Sequence, residues 1–248
     1  VRSGHIRVGI GGWTYDRWRG TFYPDGLPKT RELEYAASRL TAIEVNGTFY
    51  SRQSPATFAK WRKATPRGFV FTLKAGRYCT QRKDLAQAEE SIARFLGQGL
   101  VELGDRLGPI LWQLPATKPF DPDEISAFLA LLPQQQDGVP LRHVIEPRHA
   151  SFNDSAFFAQ AREAKVAVVY ADSEKYPCLA EQTGAFTYAR LQDARENEPT
   201  GYPSAALDGW ARQARDWAAG GREVFVFFIN GAKVRAPAAA EALIQRLD

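Results

Sequence analysis

The sequence predicts an α/β fold, a single TIM-type (β/α)8 barrel. Three observations point there: short apolar β-branched runs recur along the chain, amphipathic segments separate them, and nearly every run stops on a polar or charged residue. Continuous apolar runs suit strands covered on both faces, as in parallel sheets. Their alternation with helices reads as a closed barrel whose chemistry gathers at the C-terminal strand ends. A length of 248 residues suits such a barrel as one unit.

The eight predicted strands are 6–10, 42–45, 69–73, 110–114, 143–146, 166–171, 186–191 and 224–229. Between them, Thr30 is a candidate cap for a helix that places Leu33, Ala36, Ala37 and Leu40 on one face. Ser54-Pro55 opens the next, with proline at the tolerated first position. Asp121-Pro122-Asp123-Glu124 puts carboxylates in a first turn, where the helix dipole favours them. Leu207, Trp210, Ala211, Ala214 and Trp217 recur at helical spacing, and a last helix starts near Pro237. Residues 173–185 hold at most a short helix. An open doubly wound sheet competes, but Gly9-Ile10-Gly11-Gly12 is not the dinucleotide fingerprint. No linker or composition break divides the chain, so residues 1–248 are expected to form one domain.

Composition narrows the classes. Hydrophobic content of 44% and charged content of 24% are those of a globular chain, not a disordered one. Cys79 and Cys178 lie far apart and form no CxxC pair, which suits a reducing compartment. Val1-Arg2-Ser3-Gly4-His5 lacks the features of a signal peptide. No apolar run approaches the roughly 20 residues that span a bilayer, so a cytoplasmic location without membrane contact is expected. A net charge of +4 modestly favours an anionic partner, although scattered basic residues are also what a solvated surface carries.

The strand ends supply the candidate site. Glu44 and Asn46 close strand two on one face. Lys74 ends strand three, with Arg77 beyond it, and Gln113 ends strand four. Glu146, Arg148 and His149 follow strand five; Asp172, Arg190 and Asn230 end strands six, seven and eight. Trp13 and Tyr15 lie nearest strand one in a loop that also holds Trp18, Phe22 and Tyr23, and are candidate pocket walls. The polar loop 192–204 is either a lid or a plain surface loop.

These blocks resemble the YecE-like family, domain of unknown function 72. Glu44-Val45-Asn46-Gly47-Thr48-Phe49-Tyr50 is similar to its most distinctive motif, and Lys74, Arg77 and Thr80 to a second. Trp112-Gln113-Leu114-Pro115, Glu146-Pro147-Arg148-His149, Arg190-Leu191 and Phe228-Ile229-Asn230 resemble further blocks. The resemblance runs from Gly9 to about Ala240 and implies a TIM-type barrel but no settled activity. Gln81 stands where the family usually has histidine, Pro147 where it has phenylalanine, Ala116 where it has a second proline, and Ile229 where it often has asparagine. The first of these removes a possible proton carrier.

The chemistry expected first is an enzyme acting on a small anionic substrate. Lys74, Arg77, Arg148 and Arg190 would hold the anion, since guanidinium forks match phosphate and carboxylate oxygens. Glu44 and Glu146 would serve as acid and base, with His149 a further proton carrier. A metal on Glu44, Glu146, Asp172 and His149 is the second reading, opposed by the nearby cations and by the lack of any HExxH or cysteine cluster. Nucleic-acid processing or binding is the third; the chain has no basic stripe to favour it. No cofactor is expected, because there is no P-loop and no GxSxG elbow.

Overall fold

The computed structural model describes residues 5–248; residues 1–4, on which the expectation of no leader rests, lie outside them. The barrel strands are β1 (Ile6–Gly11), β2 (Ala42–Val45), β3 (Val70–Lys74) and β4 (Leu107–Gln113). β5 (His143–Glu146), β6 (Ala167–Val168 with Tyr170–Asp172), β7 (Phe186–Leu191) and β8 (Glu223–Phe228) complete it. All pairs are parallel, and β1 lies beside β8 in register from Ile6↔Val224 to Ile10↔Phe228. β6 is one strand in two pieces, Ala167–Val168 and Tyr170–Asp172. The first pairs with β5 and the second with β7. Val169, between them, donates its N–H to the Ile145 carbonyl. The ring is therefore closed, and the open-sheet alternative falls.

Helices surround the ring: α1 (Glu32–Arg39), α2 (Gly47–Tyr50), α3 (Pro55–Lys63), α4 (Arg77–Thr80) and α5 (Glu89–Leu96). They continue with α6 (Pro122–Ala130), α7 (Ser155–Glu163), α8 (Ser204–Trp217) and α9 (Ala236–Leu247). The next two helix starts predicted after Thr30 both form, and each carries a side-chain cap. Ser54 accepts from the Thr57 N–H, and Asp121 from those of Asp123 and Glu124. Thr30 does not cap; it lies inside a 3-10 turn, Lys29–Arg31, that leads into α1. Residues 173–185 form no helix. A small hairpin not anticipated from the sequence pairs Gln135–Gln136 with Val139–Pro140. Its turn is Asp137-Gly138, both at positive φ, the dipeptide that two-residue hairpins favour.

Two cores follow from the pleat, because alternate side chains of a strand point to opposite faces. Val8, Ile10, Ile43, Phe71 and Ile145 face outward into the shell of helices. Ala42, Val70, Leu111, Val144, Tyr188 and Phe225 fill the barrel itself. At the N-terminal end the interior is plugged by ions: Glu223 takes hydrogen bonds from Arg7 and Arg142. No helix of the described residues is long and apolar enough to cross a membrane.

Candidate functional site

Counting the pleat onward from the interior residues fixes what reaches the opposite, C-terminal mouth. Ala42 faces in, so Glu44 and Asn46 do; Val70 leads to Thr72 and Lys74, and Leu111 to Gln113. Val144 leads to Glu146 and Arg148, and Tyr188 to Arg190. On β6 the inward residues are Val169 and Ala171. Asp172 therefore points the other way and does not join the cluster, contrary to expectation.

Arg190 is the centre of a buried network. Its Nε and one terminal nitrogen donate to the two oxygens of Glu44 at 3.1 and 3.0 Å. The other terminal nitrogen donates to both oxygens of Glu146 at 3.0 and 2.8 Å. Gln113 adds a hydrogen bond to Glu146 at 2.6 Å, and the Tyr188 hydroxyl donates to Glu44 at 2.7 Å. With that proton committed, Thr72 donates to the Tyr188 oxygen at 2.9 Å. Burial opposes the charge on Arg190, but Glu146 and Glu44 more than offset it, so its pKa rises. Burial likewise pushes the Glu146 carboxyl up, and the Arg190 and Arg148 guanidiniums outweigh that, so its pKa is lowered. Burial, then the charge of Glu44, raises the Tyr188 phenol well above its ordinary value.

Above it lies a cavity of about 690 Å³, whose walls include Trp13, Phe49, Tyr50, Trp61, Asn46, Gln113 and Asn230, a volume typical of small-molecule sites. Lys74, Arg148, Arg190 and Lys233 line it as well; no Asp or Glu does. Glu44 and Glu146 are buried beneath the floor, their oxygens occupied. Neither faces the space a substrate would fill, which is not the placement expected of an acid and a base. The metal reading loses its donors in the same way. Among the described residues no three His, Cys, Asp or Glu side chains gather as metal ligands would.

The cations differ in what they have left to give. Arg190 has one N–H uncommitted after four bonds. Arg148 approaches Glu146 at 3.5 Å and lies 4.0 Å from the Tyr176 ring centroid, while its buried Nε has no partner. Lys74, 8% exposed, stands 4.2 Å from the Phe49 ring centroid. Burial and then Arg190 push its pKa down to about 8, against the opposing pull of Glu44 and Glu146. Lys233 lies over Tyr15 and Trp18, and burial lowers its pKa. Arg190 and Arg148 match the two carboxylates, which leaves the ammonium groups of Lys74 and Lys233 as uncompensated positive charge.

Several sequence candidates lie elsewhere. His149 accepts from the Ser151 N–H and meets its hydroxyl at 2.7 Å, opening a 3-10 turn. Arg77 starts α4 and is exposed. Tyr15 packs on Trp18 and lies under Lys233 without lining the cavity. Burial, then Asp193, raises the pKa of Asp172 outside the cavity. Loop 192–204 is pinned by Gln192 to Asp172, Ala194 to Ala232, and Tyr202 to Asp193. It is no free lid. Gln81 donates to the Gln113 carbonyl at 3.4 Å and does not line the cavity.

Sequence reasoning missed Lys233, Trp61, Gln53 and Tyr176. Lys233 lies three residues past the strand-end Asn230, and that proximity was the available signal. Its backbone carbonyl accepts from the buried Trp18 indole, which ties the first loop to the last.

The family model described as "Protein of unknown function DUF72" matches residues 7–248. The UPF0759 protein YunF of Bacillus subtilis (strain 168) is 28% identical over 162 residues, 62% of this chain; the chain spans only 55% of that protein. A DUF72 family protein of Thermotoga maritima has the same fold at TM-score 0.76 and 22% identity, covering 97% of both chains. One from Enterococcus faecalis V583 superposes at TM-score 0.75 and 19% identity, over 98% of this chain and 95% of that one.

Proposed function

Because this chain belongs to the DUF72 family of proteins of unknown function, its chemistry has to be read from the barrel mouth. We propose that the mouth holds and acts on a small anionic substrate of the phosphate, carboxylate or sugar-acid type. One observation carries this reading: four cations line the cavity and no carboxylate does. An anion placed there is screened less than one at an exposed lysine, so the attraction is stronger.

Arg148 is the clamp, since its Nε is buried without a partner and a guanidinium fork suits such oxygens. Lys233 and the free N–H of Arg190 supply further donors. Trp13, Trp61 and Phe49 take an apolar or planar part of the substrate. Glu44 and Glu146 orient the guanidiniums and move no proton. The group able to change protonation near neutrality is Lys74, at about 8.

A sulfate titration at fixed ionic strength tests this. A hundredfold excess over Kd stabilises by about 2.7 kcal/mol, a rise in Tm of roughly 5–10 °C for a chain of this size. The rise should saturate, and Arg148→Met should remove it while the protein stays folded. Equal shifts in both proteins would reject the clamp. Arg190→Met is the wrong variant, because it strands two buried carboxylates and costs about 3–5 kcal/mol.

A further inference from the structure

Lys74 is buried beside charges that have no use for it. Glu44 and Glu146 place their oxygens on Arg190, Tyr188, Gln113 and Arg148. The Lys74 ammonium makes no hydrogen bond and no ion pair with any described residue, and it lies over the face of Phe49. A lysine kept for structure would be paired, since an unpaired buried charge is costly. This one ends β3 on the inward face and lines the cavity.

We propose that Lys74 is a carbonyl-capturing amine and that the substrate is a small anionic aldehyde or ketone, its anion on Arg148 and Lys233 and its carbonyl at the Lys74 Nζ. This rests on the anion-site reading and adds the class of substrate. Burial and Arg190 lower the pKa to about 8, so about a tenth of the side chain is free amine at neutral pH. A desolvated lysine beside another cation is the environment that activates such nucleophiles. The groups facing it are Arg190, Glu44, Glu146 and Arg148.

In the step, the Nζ lone pair attacks the carbonyl carbon and the C=O π electrons move to oxygen, which takes a proton from water. The nitrogen returns one proton to the hydroxide so formed and passes its other to the departing oxygen, which leaves as water as a C=N bond replaces C=O. No oxidant or metal enters the balance.

The experiment incubates the protein with borohydride and either dihydroxyacetone phosphate or pyruvate, followed by peptide mass mapping. The two compounds separate phosphate from carboxylate recognition. Hydride reduction should leave an adduct, heavier by the ketone less one oxygen, on the peptide carrying Lys74. Labelling should approach one per chain, at least about tenfold above any other lysine, slow about tenfold under saturating sulfate, and rise with pH through about 8. Lys74→Met, checked for folding by its melting curve, should lose that label. Labels spread evenly over surface lysines, or none at Lys74 with either compound, would overturn the inference. If sulfate still stabilises the wild type through Arg148 in that case, the anion site stands alone. A Lys74 adduct that sulfate does not slow would retain the reactive amine and remove the anion site.

Discussion

Lys74 and Arg190 show how far residue type alone carries an argument. Both end strands and both are cations, so the sequence places both in one anion site. What separates them is pairing, which depends on contacts between β2, β5 and β7 that no local pattern records. Arg190 has two carboxylates, and Lys74 has none. The difference has a pH signature. The folded pKa of Lys74, about 8, lies below its ordinary 10.5, so between those values the unfolded chain binds more protons. Stability then rises with pH across that window, and the charged amine costs on the order of 3 kcal/mol below it. Lys74→Met should therefore be more stable than wild type at neutral pH, with the advantage shrinking above pH ~8 and gone above ~10.5. Denaturant melts across that range check this; a pH-independent difference would mean that the amine is not desolvated.

At the scale of elements, the strands were legible because apolar runs and their order survive any tertiary arrangement. Which face each residue takes was legible too, through the period of two. Applied to β6, it excludes Asp172 once Ala171 is seen to face inward. The break at Val169 was not legible, since it serves closure of the ring and leaves no mark in residues 166–171. Gly9 is the sharper case. A Cβ there would lie 1.8 Å from the Ala42 carbonyl oxygen and 3.3 Å from the Phe227 ring. β1 can pass so close to β2 only without a side chain. Gly9→Val should cost about 3 kcal/mol or more, or prevent folding. Gly47→Ala, with nothing within 4 Å, is the control for a tolerated Cβ. Thermal unfolding of both variants decides it, and a Gly9→Val protein as stable as wild type would contradict the packing.

Over the whole molecule, the barrel is a column of layers with charge at both ends and apolar packing between. At the N-terminal end Glu223 draws Arg7 and Arg142 together. The apolar interior of Val70, Val144 and Phe225 follows. Then come the Arg190 network and the open mouth, where positive charge exceeds negative. The net charge of +4 hinted at an anionic partner but could not say where, because most basic residues are spread over the surface. Only closure of the ring brings Lys74, Arg148, Arg190 and Lys233 to one cavity.

Calorimetric titration of sulfate, at constant ionic strength and pH ~8, in two buffers of different ionisation enthalpy, tests that surplus most directly. An anion in the mouth stabilises the charged form of Lys74 and raises its pKa, so binding must draw protons from the buffer. Binding should saturate, with an enthalpy that differs between buffers by the uptake of up to about half a proton, and the buffer dependence should be lost in Lys74→Met. No binding, or an enthalpy identical in both buffers, would contradict it.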